Sequence, residues 1–211
     1  MKSLEEKIIR EGKVLDGDVL KIDCFLNHQI DVRFMEEMGK EFKKIFDGEK
    51  ITKILTIEAS GIAIAYETSK YFDCCPVVFA KKVPAKNQND FVFCAELYSY
   101  TRQRHYTISV AREYISKDDS ILIIDDFLAN GQALKSLIEL CKQAGCKLVG
   151  CGVVVEKAFQ LGGKEIRDMG IRVESLAKIK SMSKDHIEFD CCSDAEVTND
   201  WFDYFLLNKF M

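Results

Sequence analysis

The sequence predicts an α/β fold in which helices cover both faces of a central, mainly parallel sheet. Short and continuously apolar stretches alternate with stretches whose apolar residues recur every three or four positions. Strands that are apolar on both faces are typical of parallel sheets buried between helices. Only two prolines occur, and no repeat or low-complexity stretch separates two domains. A chain of 211 residues can therefore form one large domain with a small attachment.

The individual elements follow from these two patterns, taken in chain order. Phe34, Met38 and Phe42 recur at helical spacing and predict an amphipathic helix. Each later predicted helix directly follows a short apolar run, as expected of β-α units. The helices are predicted near 31–47, 62–72 and 131–144, and the strands at 54–57, 76–80, 121–124, 147–156 and 172–176.

Residues 89–114, between the second and third predicted strands, follow a different pattern. They alternate only weakly between apolar and polar, so we expect an antiparallel excursion or a loop instead of another β-α unit. A connection of this length in a compact domain is often functional. Its aromatic and basic residues are Tyr98, Tyr100, Arg102, Arg104, His105 and Tyr106.

Composition excludes several classes of protein. The net charge is -4, and residues 1–53 show no basic stripe, so we expect no nucleic-acid partner. No apolar run reaches the roughly 20 residues that span a bilayer. The N-terminal residues mix charges throughout and do not resemble a signal peptide. Nine cysteines without C-x-x-C spacing are expected to be reduced thiols of a cytoplasmic protein, with a metal site the less favoured alternative.

Two loops after predicted strands are rich in small residues. Residues 58–61 read EASG, and residues 129–133 read ANGQA and lead into a helix. Ligands of parallel sheets bind beyond the carboxyl ends of the strands. Small residues let backbone N–H groups approach a ligand, and a helix N-terminus favours an anion. The second loop is therefore predicted to bind a phosphate, although neither GxxxxGK[ST] nor GxGxxG occurs in the chain.

Two adjacent acids, Asp125 and Asp126, stand between the apolar run 121–124 and this loop, with no basic residue beside them. Neighbouring strand residues point to opposite faces, but a turn at a strand end lets both carboxylates face one cleft. Two such carboxylates suit vicinal hydroxyls or a hydrated Mg²⁺ ion. The alternative is that Asp125 caps the following turn while Asp126 is solvated.

These motifs together resemble the type I phosphoribosyltransferases, and more narrowly the bacterial branch that uses xanthine. The likeness covers about residues 1–189 and implies transfer of a phosphoribosyl group from phosphoribosyl pyrophosphate to N9 of a purine, in purine salvage. Guanine or hypoxanthine as the preferred base stays open, and so does a transcription regulator of the same fold that senses phosphoribosyl pyrophosphate. The motifs are KIDCFLNHQID (21–31), TIEASGIA (56–63), VVFAKK (77–82), ILIIDDFLANGQA (121–133), VVVEKAFQ (153–160) and RVESLAKI (172–179).

The resemblance implies roles for single residues. Asp125 and Asp126 would hold the ribose hydroxyls, directly or through Mg²⁺. Many relatives have Thr where Asn130 and Ala133 stand, so the phosphate loop here would depend more on backbone N–H groups. The implied phosphoribosyl pyrophosphate site comprises Ala59, Ser60, Gly61, Lys81, Lys82, Ala129, Asn130, Gly131, Gln132 and Ala133.

The resemblance places the purine against Leu20, Asn27 and Lys157, and Phe159 could stack on the base. Lysine donates to a purine oxygen, an amide donates and accepts, and leucine supplies an apolar contact. Each residue also has a structural alternative. Asn27 could be a helix N-cap, Lys157 a solvated lysine and Phe159 a core aromatic.

The resemblance also implies Mg²⁺ as cofactor, a homodimer, and closure of residues 95–110 over the substrates. Tyr100, Arg102 and Arg104 would then contact pyrophosphate, unless the segment is simply a solvated loop. We expect a phosphoribosyltransferase domain at 1–189, with a hood at about 1–50 and a core at about 51–189. Residues 190–211 form an extension of unknown role in which Trp201, Phe202, Phe205, Leu206 and Phe210 approximate a helical stripe.

Overall fold

A computed structural model describes residues 1–15, 19–83, 91–99, 104–184 and 186–190, without the side chains of 83, 97–99, 104 and 105. The predicted tail stripe lies outside these residues. Within them, no helix is long and apolar enough to cross a bilayer. The elements are, in chain order, α1 (Lys2–Glu11), β1 (Lys13–Leu15), β2 (Val19–Lys21), α2 (Val32–Ile45), β3 (Lys53–Ile57), α3 (Gly61–Ser69), β4 (Val77–Val83), β5 (Val92–Ser99), β6 (Arg104–Ala111), a 3-10 turn (Arg112–Tyr114), β7 (Ser120–Leu128), α4 (Gln132–Ala144), β8 (Lys147–Lys157), α5 (Gly162–Asp168), β9 (Val173–Ser183) and β10 (His186–Phe189).

An eight-stranded sheet with the order β10-β9-β8-β7-β3-β4-β6-β5 forms the centre of the molecule. The pairs from β4 through β3, β7 and β8 to β9 are parallel, while the pairs at both edges are antiparallel. The prediction of an α/β fold with a mainly parallel sheet is confirmed. In such a sheet the carboxyl ends of the parallel strands meet at one edge, which is where a ligand site is expected.

Helices cover both faces of this sheet, and β7 shows why its apolar run is continuous. Leu122 and Ile124 pack into a core cluster shared with α1, α2 and α3. Ile121 and Ile123 point the other way and pack into a second cluster, shared with α4 and the β5–β6 hairpin. Because both faces are buried, every position of the run must be apolar.

The extent of β7 differs from the prediction in a way that matters for the acid pair. The strand runs from Ser120 to Leu128, so Asp125 and Asp126 lie inside it and not after its end. The prediction that the strand ends at 124 is wrong, because pairing with the longer strand β8 continues to Leu128 opposite Glu156. Sequence pattern alone could not show this, since acids in a strand interior are uncommon.

The β5–β6 hairpin confirms the antiparallel excursion predicted within 89–114. Its first strand is tied to α4, because Ser136 Oγ donates to Glu96 O at 2.6 Å and Gln143 Nε2 donates to Cys94 O at 2.8 Å. Tyr106 is partly buried and packs against the second core cluster. The predicted roles of Tyr100 and Arg102 fall outside the described residues, as do the side chains of Tyr98, Arg104 and His105.

Candidate active site

Asp125 and Asp126 are both buried, with only 3% and 8% of their surface exposed. The Asp126 backbone N–H donates to Asp125 Oδ1 at 3.0 Å, and Asn27 Nδ2 donates to Asp126 Oδ2 at 3.2 Å. No salt bridge reaches either carboxylate from the described part of the chain. The solvated-Asp126 alternative is therefore wrong, because that side chain is buried against Asn27. Two buried acids without a cation are unusual, since burial of a carboxylate normally requires a partner.

The electrostatic consequence falls on Asp125. Burial raises the pKa of its carboxyl well above the usual range, and the neighbouring charge of Asp126 raises it further. Lys82 has the opposite, smaller effect on this pKa. A cation, or hydroxyl groups that donate to the carboxylate, would favour its ionised form. Among the described residues, the acid pair thus has no positively charged partner within ion-pair distance.

Gly61, the residue that follows loop 58–60, packs directly against Asp125. A Cβ at residue 61 would lie 2.8 Å from Asp125 Oδ1 and 2.2 Å from Thr56 Oγ1, so only glycine fits at the start of α3. The peptide bond between Glu58 and Ala59 is cis. Ala59 and Ser60 follow at the carboxyl end of β3, where their backbone can face a ligand.

Lys81 and Lys82 are both exposed on β4. The Lys82 backbone N–H donates to Glu58 Oε1 at 2.7 Å, which joins the end of β4 to loop 58–60. The Lys81 ammonium lies over the Phe79 ring, 5.9 Å from its centroid. Since the charge of Lys82 acts on Asp125, Lys82 is the lysine of this pair that is electrostatically linked to the acids.

The segment 129–133, which the sequence predicts to bind a phosphate, connects β7 to α4 and includes the first two residues of that helix. Gly131 adopts φ +73°, a left-handed conformation that glycine tolerates, and α4 begins at Gln132. Asn130 is exposed, and Ala129 and Ala133 are partly exposed. The first N–H groups of a thirteen-residue helix therefore follow the short loop at the end of the strand that carries the buried acids.

Asn27 links the N-terminal hood to the acid pair. Its alternative role as a helix N-cap is wrong, because Asp31 Oδ1 accepts from Phe34 N at 3.1 Å and caps α2. Asn27 is exposed apart from its bond to Asp126. A cavity of about 110 Å³ opens beside it, between the hood and loop 58–60. Its lining comprises Leu26, Asn27, His28, Ile30, Ala59, Ser60 and Ala63.

The other predicted purine residues lie on two separate elements. Lys157 ends β8 and is partly buried, while Phe159 is 38% exposed in the loop that follows. The core-aromatic alternative for Phe159 is therefore wrong. Leu20 lies on β2 and is 94% buried within the first core cluster, so only an edge of its side chain can reach a ligand.

Several polar groups at the site carry no motif of their own. Thr56 Oγ1, beside Gly61 and Asp125, is buried without a hydrogen-bond partner among the described residues. The same holds for Gln160 Oε1 in the loop after Lys157. Glu156, directly before Lys157, is buried and paired with Arg167. Two features of the sequence could have pointed to these groups. They are the glycine doublet Gly162-Gly163 after β8 and the acid Glu156 within the otherwise apolar β8.

A metal site made by the protein alone does not occur among the described residues, where no three His, Cys, Asp or Glu side chains converge. The seven described cysteines are all free thiols. Asp125 and Asp126 nevertheless fit a ligand-borne divalent cation, because they are oxygen donors without a competing ammonium or guanidinium group.

The arrangement matches a known family. A profile described as "Phosphoribosyl transferase domain" fits residues 28–189, which include all the described site residues except Leu20 and Asn27. The chain belongs to the phosphoribosyltransferase family. Both small-residue loops and the acid pair lie within the matched range, while the tail beyond 189 does not.

Curated relatives of this phosphoribosyltransferase align with it over their whole length. Xanthine phosphoribosyltransferase 1 of Clostridium perfringens is 52% identical over 189 residues, which cover 90% of this chain and 100% of that protein. Xanthine phosphoribosyltransferase of Clostridioides difficile is 53% identical over the same shares. The protein of that name from Bacillus cereus is 52% identical over 197 residues, which cover 93% of this chain and all of that protein.

Solved structures show the fold independently. Adenine phosphoribosyltransferase from Trypanosoma brucei, in complex with AMP, pyrophosphate and ribose-5-phosphate, superposes with a TM-score of 0.69 at 16% identity. The match covers 97% of this chain and 92% of that one. At this identity the likeness establishes the fold of the phosphoribosyltransferase and nothing about its base.

Proposed function

We propose that this phosphoribosyltransferase transfers the 5-phosphoribosyl group from phosphoribosyl pyrophosphate to N9 of xanthine. The products are xanthosine 5'-monophosphate and pyrophosphate, a reaction of purine salvage. The observation that carries the proposal is the buried acid pair without a cation, placed between the small-residue loop that leads into α4 and the loop at 58–61. The choice of xanthine rests on the relatives that bear its name. These are named as enzymes, which favours catalysis over a regulator that senses phosphoribosyl pyrophosphate.

The phosphate end of the substrate fits loop 129–133. Backbone N–H groups at Gly131 and the start of α4 would donate to the 5-phosphate, and the helix dipole favours its charge. Asn130 offers an amide where many relatives would offer a threonine hydroxyl. The loop would therefore bind the 5-phosphate mainly through its backbone N–H groups. Ala59, Ser60 and Gly61 would receive the pyrophosphate, with Lys82 supplying a positive charge from the next strand.

The acid pair acts on the ribose. Asp125 and Asp126 would accept hydrogen bonds from its two hydroxyls and stabilise the positive charge that develops on the ring as the bond between C1 and pyrophosphate breaks. Mg²⁺ bound with the substrate supplies charge neutralisation for the leaving pyrophosphate, and either aspartate is suitably placed to hold it. A base nitrogen then bonds to C1, so no nucleophile from the protein is required.

The purine would lie between the hood and the end of β8. Lys157 would donate to a purine oxygen, Asn27 would offer its amide, and Phe159 would stack on the ring from its exposed position. Leu20 would contribute an apolar edge. We further expect residues 1–50 to act as the hood of a homodimeric cytoplasmic enzyme, and sedimentation of the purified chain would test the dimer.

The direct test is product formation by the purified chain. Xanthine, guanine, hypoxanthine and adenine are each supplied with phosphoribosyl pyrophosphate and Mg²⁺, and nucleotide formation is followed by absorbance. We expect the highest kcat/KM with xanthine. Higher kcat/KM with guanine or hypoxanthine would overturn the base assignment alone, whereas no nucleotide with any base would overturn the enzyme.

A second measurement tests the residues. Lys157→Ala should raise the KM for xanthine about tenfold, the usual effect of losing one charge-assisted hydrogen bond. The KM for phosphoribosyl pyrophosphate should change by less than about twofold in the same variant. Lys178→Ala, a matched change of the neighbouring β9 residue opposite Glu156, is the control and should leave both constants unaltered.

A further inference from the structure

The loop that follows β8 is in direct backbone contact with the phosphate loop. We call residues 157–161 the purine loop, because they contain Lys157 and Phe159, and residues 129–133 the phosphate loop. Gly162, the first residue after the purine loop, donates its N–H to Ala129 O at 3.2 Å. A Cβ at residue 162 would lie 2.3 Å from that oxygen and 2.4 Å from Gly131 N.

This contact leaves no room for adjustment. The nearest atoms belong to backbone on both sides, and backbone cannot rotate away as a flexible side chain can. A Cβ at residue 131 would meet the same obstacle from the other side, 3.0 Å from Gly162 Cα. The position of the phosphate loop is thus set by where the chain places Gly162.

An ion pair between the buried carboxylate of Glu156 and the partly exposed guanidinium of Arg167 lies next to Gly162. Arg167 donates through both terminal nitrogens to Glu156, at 2.6 Å to Oε1 and 2.7 Å to Oε2. Ser175 Oγ also donates to Glu156, and Arg167 Nη2 donates to Val173 O at 3.2 Å. Glu156 directly precedes the purine loop and Arg167 follows it on α5, so the pair closes the loop at both ends.

The ion pair and the glycine contact are packed against each other. A Cβ at residue 163 would lie 2.0 Å from Glu156 Oε1 and 2.7 Å from Arg167 Nη1. A second link, from the ammonium of Lys135 to the carboxylate of Glu165, joins α4 to α5 at the surface. The purine loop, α5 and the phosphate loop are therefore joined by a continuous series of contacts.

The charges of this arrangement are satisfied in a way that those of the acid pair are not. Burial raises the pKa of Glu156, but the hydrogen bonds from Arg167 and Ser175 outweigh burial and hold this pKa below its usual range. A two-pronged arginine–carboxylate pair fixes orientation as well as charge. Loss of Arg167 would leave the buried carboxylate of Glu156 without its cation.

We propose that Glu156, Arg167 and Gly162 are positioning residues that couple the purine loop to the phosphate loop. Through this coupling, a change at the Glu156–Arg167 pair alters the binding of the 5-phosphate, although the two groups share no described contact with the phosphate loop. The inference rests on the proposed function only in its assignment of the purine to one loop and the phosphate to the other.

The experiment measures both ends of the coupling in the full chain. Binding of ribose 5-phosphate is followed by calorimetry, which needs no turnover, and the KM values for xanthine and phosphoribosyl pyrophosphate are measured separately. Gly162→Ala should raise the Kd for ribose 5-phosphate about tenfold, the effect of losing one charge-assisted backbone hydrogen bond. Arg167→Gln should raise this Kd and both KM values, each by about threefold or more.

Two further variants separate positioning from general destabilisation. Lys164→Ala removes an exposed ion pair with Asp168 from the same helix and should leave Kd and KM within about twofold of the original. Arg167→Lys keeps the charge but loses the fork, and should fall between the original and Arg167→Gln. If Arg167→Gln does not fold, Ser175→Ala removes one bond to Glu156 and gives the same test with a smaller effect.

The outcomes decide between distinct conclusions. Normal ribose 5-phosphate binding by Gly162→Ala would overturn the contact as a positioning device. A rise in the KM for xanthine alone in Arg167→Gln would overturn the coupling. If the unaltered chain binds ribose 5-phosphate but makes no nucleotide, the proposed function fails while the effect of Gly162→Ala on binding still tests the contact.

Discussion

Buried acids stand both directly before β7, at Asp119, and near its carboxyl end, at Asp125 and Asp126, and the two ends are built differently. At the first end, Asp119 accepts from Lys53 Nζ at 2.8 Å, from Thr52 Oγ1 at 3.2 Å and from Ser116 N at 2.8 Å. At the other end, Asp125 receives only the backbone N–H of Asp126 among the described residues. One carboxylate is fully satisfied by the protein, and the other is not.

The difference separates structural acids from acids that serve a ligand. Burial raises the pKa of Asp119, but hydrogen bonds from Lys53 and Ser116 outweigh it, and the net pKa lies below the usual range. The pKa of Asp125 lies well above that range, because burial and Asp126 act in the same direction. Selection for stability alone would pair or remove such a carboxylate. Its retention indicates a partner that arrives with the substrate.

The largest expected effect is on catalysis at the incomplete end. Asp125→Asn and Asp126→Asn should each lower kcat/KM by about 10²- to 10³-fold, because a neutral amide cannot stabilise positive charge on the ribose. Steady-state assays with xanthine and phosphoribosyl pyrophosphate measure this. Asp119→Asn, the same change at the complete end, is the control. A loss within tenfold for both variants at the incomplete end would show that the acid pair does not act on the ribose.

Stability should respond in the opposite order. Asp119→Asn should lower the free energy of unfolding by about 2 kcal/mol, since it leaves the ammonium of Lys53 without its carboxylate. Asp125→Asn should raise it by about 1 kcal/mol at neutral pH, because a buried unpaired charge is removed. Urea unfolding measures both. Destabilisation by Asp125→Asn would mean that its carboxylate is needed to hold the fold together.

The pH dependence of unfolding sharpens the same contrast. A carboxyl with a lowered pKa, such as Asp119, stabilises the fold above the usual carboxyl range and loses this effect as pH falls through the lowered pKa. A carboxyl with a raised pKa, such as Asp125, stabilises at low pH and loses this effect as pH rises from the usual range through the raised pKa. The gain in Asp125→Asn should therefore grow with rising pH, and the loss in Asp119→Asn should shrink at acid pH. If the free energies of unfolding of both variants, relative to the unaltered chain, changed with pH in the same direction, the opposite pKa shifts assigned to Asp119 and Asp125 would be wrong.

The smallest expected effect concerns two threonines at the same two ends. Thr52 Oγ1 donates to Asp119 and accepts from Ser120 N at 2.9 Å, whereas Thr56 Oγ1 is buried without a described partner. Thr52→Val should lower the free energy of unfolding by about 1 kcal/mol without changing KM. Thr56→Val should not lower it, and should raise the KM for phosphoribosyl pyrophosphate by about threefold if its hydroxyl serves the ligand. An unchanged KM would show that the buried Thr56 hydroxyl does not bind the substrate.

Local patterns were enough to predict the parallel strands β3, β4, β7, β8 and β9 and the helices α2, α3 and α4, whereas α1, α5 and the β1–β2 pair were not predicted. Each predicted element depends on residues close together in sequence, such as the apolar run before Asp125 or the helix start after Gly131. The continuation of β7 to Leu128 depends instead on the length of its neighbour β8, which no pattern within β7 contains.

The supporting contacts could not be predicted because they are long-range. Asn27 and Asp126 are 99 residues apart, and their hydrogen bond follows from how the hood packs on the sheet. Gly162 reads as an ordinary turn glycine until the backbone of Ala129 is seen against it. Glu156 stands in the segment VVVEKAFQ (153–160), but nothing in the sequence pairs it with Arg167, because α5 must fold before the guanidinium can turn back onto β8.

The attachment of β5 to α4 sets a mechanical limit on the closure expected for residues 95–110. The bonds from Ser136 to Glu96 and from Gln143 to Cys94 moor the base of the hairpin to the same helix that begins at the phosphate loop. The β5–β6 hairpin is thus fixed to α4 at Cys94 and Glu96. If residues 95–110 close over the substrates, as the resemblance implies, Cys94 and Glu96 could move only together with α4, which would couple the closure to the helix that begins at the phosphate loop.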